Sequence, residues 1–183
     1  MNRPSSESQR LSDWFGRSWV RDAQGRPLVV YHGTCNGDVV FRERTWAFFS
    51  SNPAVASTFT KGRIYTERRL AAPAVYPVFL KIENPLVVNG AGQYCGQIVA
   101  TVEGFEAVYS TEDLAQIARR LGHDGLIIQN MIDPGPGSRT YPRSKAKREQ
   151  LTGDTLAVFD AKQIKSAVGN CGEFDPTNPC IAS

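Results

Sequence analysis

Val29-Val30-Tyr31-His32-Gly33-Thr34 is a short apolar run that ends abruptly in an imidazole, a glycine and a hydroxyl. Valine and tyrosine are strand formers, and Pro27 just ahead of them fits a strand entrance. Gly33 lets the backbone come close to a neighbour that any side chain would push away. His32 offers a donor or an acceptor beside that gap. Taken alone, the stretch also fits a strand running into a turn, with the histidine satisfied by backbone.

Working outward, Leu11, Trp14, Phe15 and Trp19 give residues 9–20 a loose amphipathic pattern, read as a short helix or hook on the body. Gln24-Gly25-Arg26-Pro27 reads as a turn before the first core strand, and residues 35–45 as a polar loop. Trp46 to Ser50 reads as a short buried strand. Ser51-Asn52-Pro53 then opens a helix that runs on to Phe59, with a capping residue followed by proline in the first turn. Val75 to Ile82 alternates as a strand interrupted by Pro77, and Leu86-Val87-Val88 follows the turn at Asn84-Pro85. Thr111 is expected to cap a helix over 111–121, whose stripe is Leu114, Ile117, Ala118 and Leu121, with Gly122 as its stop. Gly125 to Gln129 and Thr155 to Phe159 read as central strands. Between them, residues 133–150 carry three prolines, two glycines and five Lys/Arg, and read as a long basic surface loop. Many short strands with few helices predict an α+β domain.

Composition bounds the function. The chain of 183 residues has ordinary proportions of apolar and charged residues for one globular domain, and its net charge of +3 does not by itself argue for nucleic acid. No apolar run approaches a membrane span. Met1 to Ser8 is polar, lacks the apolar stretch of a secretory signal, and reads as a disordered leader to a single domain over residues 9–183. The expectation is a cytoplasmic protein, or one delivered into a host cell by a non-classical route. Cys35, Cys95, Cys171 and Cys180 form no CxxC pair, and with only His32 and His123 beside them no zinc spacing emerges, so no metal is expected. Reduced thiols are the expected state.

Three blocks stand in order: Tyr31-His32-Gly33-Thr34, then Phe48-Phe49-Ser50-Ser51-Asn52-Pro53-Ala54-Val55-Ala56-Ser57-Thr58-Phe59, then Asp154 to Ser166. Together they resemble the three signature blocks of the ADP-ribosyltransferase superfamily. The tail, Gln163 to Asn170 and Phe174-Asp175-Pro176, is similar to that of the phage and polyvalent-protein branch. The resemblance spans roughly residues 15–181. It implies a split β-sandwich, with a few peripheral helices, that grips NAD as substrate in a cleft between two small sheets.

In the branch that includes diphtheria toxin and the poly(ADP-ribose) polymerases, the site is a histidine, a tyrosine and a glutamate. The resemblance places His32 on the ribose-holding histidine and Gly33 on the glycine whose backbone anchors the nicotinamide amide. Phe59 falls on the tyrosine that stacks on the nicotinamide ring, keeping the stacking face without the hydroxyl. Thr34, Phe49, Ser50 and Arg63 complete the expected NAD-contacting set, Arg63 (with Tyr65) toward phosphate or target. The glutamate position, counted back from Phe159-Asp160, holds Thr155. Bond cleavage passes through an oxocarbenium-like state that nearby negative charge stabilises. Asp154 is the candidate replacement. In a regular strand it faces away from Thr155, and a bulge at the strand start would turn it into the cleft. The other reading makes it a loop aspartate before a strand.

The resemblance implies a mono-ADP-ribosyltransferase of toxin or bacterial-effector type that releases nicotinamide and modifies a protein target. A host regulatory protein such as ubiquitin, modified on a Ser or Thr hydroxyl, is the expected kind of partner. The alternative is a catalytically inactive module that binds NAD or ADP-ribose. A third class, nucleic-acid modification, rests on the basic loop alone.

Overall fold

The computed structural model describes residues 6–35, 41, 46–61, 72–136 and 142–183. Helix α1 spans Glu7–Phe15, so it begins inside the stretch read as a leader, with Ser6 accepting from the Gln9 amide as its cap. It ends earlier than the pattern suggested, because Gly16 takes a positive φ of 53° and turns the chain out, leaving Trp19 mostly exposed. Trp14 and Phe15 stay buried. A side chain of that size contributes about 2 kcal/mol on burial.

The strands are β1 (Val30–Thr34), β2 (Ala47–Ser50), β3 (Ala74–Leu80), β4 (Pro85–Asn89), β5 (Ile98–Val102), β6 (Phe105–Tyr109), β7 (Gly125–Ile132), β8 (Thr152–Val158) and β9 (Ile164–Ser166). Helices α2 (Pro53–Thr58), α3 (Thr111–Arg120) and α4 (Lys145–Gln150) lie between them. Seven strands form one sheet in the order β4-β7-β8-β2-β1-β3-β9, antiparallel except for β4 beside β7. β2 pairs with β8 over four residues and β1 with β3 over five, but β1 and β2 meet at a single pair, Tyr31 opposite Ser50. The sheet is therefore two smaller sheets joined by one pair, which is the split α+β architecture expected.

Alternation along the strands makes two faces. Val30, Phe49, Leu156 and Val158 share one with Trp14, Phe15, Val78 and Leu80. Leu126, Ile128 and Ala157 share the other with the apolar side of α3. Ser110, not Thr111, caps α3, through a reciprocal pair with Asp113, and Thr111 is its first helical residue. The charged loop 133–150 contains α4, capped by Ser144. Lys-Ala-Lys-Arg-Glu-Gln are good helix formers even without an apolar face. The reading of β3 as interrupted does not hold: Pro77 sits within the strand, opposite Tyr31. The β5–β6 hairpin had no counterpart in the sequence reading. Its two-residue turn has both φ angles positive, 51° at Glu103 and 83° at Gly104. A tight hairpin needs that geometry to match the twist of its strands. No helix among the described residues is long and apolar enough to cross a membrane.

Candidate functional site

The two halves of the sheet meet only where β2 ends, at the Tyr31–Ser50 pair. Asn52 caps α2 through Oδ1, which accepts from the Ala54 amide at 2.9 Å. Pro53, at the first helical turn, supplies no strand donor. The chain thus leaves the sheet directly after Ser50, and β2 supplies no residue opposite Val30. Beyond the Tyr31–Ser50 pair, His32 and Gly33 keep their partners on β3, Tyr76 and Val75, while Phe49 and Phe48, which the register would set opposite them, pair with β8. Among the described residues, the β1 backbone at His32 and Gly33 is thus not paired with β2 on the side toward the split.

Gly33 decides what sits beside this backbone. A Cβ there would lie 1.8 Å from the Ala56 carbonyl oxygen and 3.1 Å from Cβ of Phe59. The close approach that glycine permits is thus made by the chain's own helix. It brings Phe59, the residue that ends α2, directly against β1. Phe59 is half-buried and packs against the cluster formed by Val55, Ile132 and Leu151.

His32 lies on the opposite face, in line with Val30. Its ring packs edge-on against Phe41 at 5.1 Å and beside Phe49 at 5.4 Å. Its Nδ1 is 2.8 Å from the Phe48 carbonyl oxygen. A carbonyl oxygen only accepts, so Nδ1 carries the proton. Burial pushes the imidazole below its usual range, and the Phe48 carbonyl pulls in the other direction. The neutral ring then has its lone pair on Nε2, to which no described residue is hydrogen-bonded. The β1 backbone at His32 and Gly33 is therefore flanked by an imidazole acceptor on one side and an aromatic side chain on the other.

The other expected residues divide. Thr34 ends β1 opposite Ala74. Phe49 is a correction: it is 3% exposed and belongs to the core, since its place in β2 points it to the face shared with Leu156 and Val30. Ser50 is buried one residue on, its Oγ accepting from the Asn52 amide. Arg63, Tyr65 and Arg139 lie outside the described residues.

Thr155 is 5% exposed and stands opposite Ser50 on one side and Ile128 on the other. Asp154 does have a bulge beside it, but the extra residue belongs to β7, between Ile128 and Met131. The Asp154 Oδ1 accepts from the amide of Asn130, which has a positive φ of 53°, at 2.9 Å. One carboxylate oxygen of Asp154 thus satisfies the bulged backbone of β7. Asp160 and Gln163 serve the turn after β8: Gln163 Oε1 accepts from the Phe159 and Asp160 amides, and its Nε2 donates to the Lys81 and Asp124 carbonyls.

Two supports of α2 were not legible in the sequence. Asn52 does more than cap. Its Nδ2 donates to the Gln150 carbonyl at 3.0 Å and to the Thr152 carbonyl at 2.8 Å. At the other end of α2, Gly135 (φ 75°) lies against Thr58, and its amide donates to Asp133. Burial raises the Asp133 carboxyl above its usual range and pushes the neighbouring Cys95 thiol up to about 12. Only the Asn-Pro pair signalled anything beforehand, and it signalled the cap alone.

The α4 cations are exposed; Lys145 is 3.7 Å from Glu149, and Lys147 donates to Gln150. Among the described residues no group of three or more His, Cys, Asp or Glu is placed to hold a metal. A family model described as ADP-ribosyltransferase in polyvalent proteins matches residues 22–174, from the turn before β1 to the tail after β9. No curated protein and no solved structure gives a significant match.

Proposed function

From a chain that belongs to the ADP-ribosyltransferases of polyvalent proteins, we propose that the split beside β1 takes the nicotinamide end of NAD and that ADP-ribose passes to a single protein side chain. The observation that carries this reading is the β1 backbone at His32 and Gly33, paired to β3 but, among the described residues, not to β2, and flanked by the Nε2 lone pair of His32 and by Phe59. Flat amide-bearing rings are bound by backbone donors and acceptors at their edge and an aromatic on their face. His32 accepts from a ribose hydroxyl and fixes the sugar, since its proton already lies on the Phe48 side. Gly33 supplies backbone to the amide, and Phe59 supplies the stacking face.

When the nicotinamide–ribose bond breaks, positive charge develops on the sugar, and the leaving nicotinamide takes the bonding pair as a neutral base. Thr155 brings a hydroxyl, not a charge, to the expected glutamate position. Asp154 contributes indirectly, by holding β7 and β8 in register through Asn130. A site with so little negative charge suits one transfer to a protein hydroxyl better than chain elongation. The partner is a protein, host-derived if the chain acts as an effector.

Incubation with NAD and candidate proteins, read by intact mass, tests this. One added ADP-ribose per acceptor with stoichiometric nicotinamide release is expected. Polymer chains, or modification confined to arginine, would refute it. A second reading, a module that binds NAD without turnover, is favoured by Thr155 and by the engagement of Asp154 with Asn130. It predicts saturable binding and no nicotinamide release.

A further inference from the structure

We infer that Asn52 is a positioning residue that ties the helix carrying Phe59 to the chain between α4 and β8, so that the stacking ring and the basic α4 surface move as one body. The proposal rests on the reading above only where NAD enters.

A helix cap needs one side-chain acceptor, and Asn52 Oδ1 provides it to Ala54. Serine or aspartate would cap equally well. What asparagine adds is two amide protons. Both are spent about a hundred residues away, on the carbonyls of Gln150 and Thr152. Gln150 is the last residue of α4, and Thr152 is the first of β8. Leu151, between them, is buried in the cluster that holds Val55 and packs against Phe59. The residues around this junction reinforce it. Ser51 and Asp154 exchange two hydrogen bonds, from the Ser51 amide to the Asp154 carbonyl (2.9 Å) and from the Asp154 amide to Ser51 Oγ (2.8 Å). Gly153 has no room for a side chain, since a Cβ would stand 2.8 Å from that of Asn52.

The N-terminal end of α2 is thus linked to the start of β8 by directional bonds, and the helix and Phe59 are linked to Leu151 by one small apolar cluster. A displacement of α4 is transmitted to the helix that sets the position of Phe59. By linkage, whatever orders one orders the other, so NAD bound against Phe59 steadies the α4–β8 junction to the degree that this junction steadies NAD.

Asn52→Ser keeps the cap and removes the two donors, whereas Asn52→Ala removes both. Amide exchange over residues 150–154, measured by mass spectrometry without nucleotide, is expected to accelerate equally in the two variants. KM for NAD in nicotinamide release is expected to rise on the order of tenfold in both, because small displacements of a positioning group are expensive. If Asn52→Ser restores wild-type exchange and KM while Asn52→Ala does not, Asn52 is only a cap and the proposal falls. Faster exchange with an unchanged KM overturns it equally, since the tie would then leave the ring unaffected. Calorimetry of wild-type protein with NAD separates the two levels. Absence of binding there refutes the reading of the site, while exchange over 150–154 still decides the tie.

Discussion

Gly33→Ala is the most direct perturbation of the site, because it adds a single carbon where α2 crosses β1. The new Cβ would stand 1.8 Å from the Ala56 carbonyl oxygen and 2.7 Å from its carbon. Ordinary van der Waals contact begins at 3.4 Å, so the oxygen has to retreat by nearly as much again as the present gap. Neither neighbour is a flexible side-chain tip. The oxygen belongs to a helix held at Asn52 and at Thr58, so α2 must shift as a unit and carry Phe59 with it. Overpacking of this kind costs about 1–3 kcal/mol. In a chain of this size each kcal/mol lowers Tm by about 2–4 °C. Misplacing a substrate-positioning group by about 1 Å lowers the rate by about a hundredfold. Calorimetric melting together with continuous nicotinamide release would give both quantities on one preparation. A variant with wild-type Tm and wild-type kcat/KM would show that α2 does not press on β1 as described, and the corner built from Gly33 and Phe59 would be lost with it.

Further outcomes follow from individual groups. His32→Ala abolishes turnover while the circular-dichroism spectrum persists; full activity would refute its role. In the wild type the imidazole is depressed from 6.5 in the folded state, so the unfolded chain binds more protons below that value. Its contribution to stability is complete above pH 6.5 and declines as the pH falls from 6.5 through the folded-state value. Urea titrations at neutral and at mildly acidic pH should show a drop that His32→Ala lacks. Cys95, with its thiol pushed up to about 12, should resist iodoacetamide under mildly alkaline conditions while the exposed Cys171 and Cys180 are alkylated; equal labelling of all three would contradict the burial beside Asp133. Lys165 is fully buried and donates to the Asn178 and Cys180 carbonyls and to Ser183 Oγ, so Lys165→Met should speed amide exchange over residues 178–183 while the central strands stay protected. Unchanged exchange in that tail would refute the anchoring.

Much of this molecule was written locally. The strand character of Val30 and Tyr31, the Asn-Pro start of α2 and the strand from Thr155 depend on neighbours a few residues apart, and they survive intact in the fold. Local chemistry also carried the family assignment. Other features required chain partners that no local pattern names. Phe49 and Ser50 were both plausible ligand contacts until the pairing of β2 with β8 fixed which face each one takes. Asp154 was expected beside a bulge, but the extra residue belongs to β7, and one carboxylate oxygen is bonded to that strand's backbone. Gly33 announced a close approach without saying that the approaching group is the Ala56 carbonyl, and Asn52 announced a cap without showing where its two remaining protons go. The physical reason is the same in each case. A strand's alternation and a cap's hydrogen bond are set by covalent spacing within one segment, whereas register, face and long-range donors are set only when a second segment, distant in the chain, packs against the first.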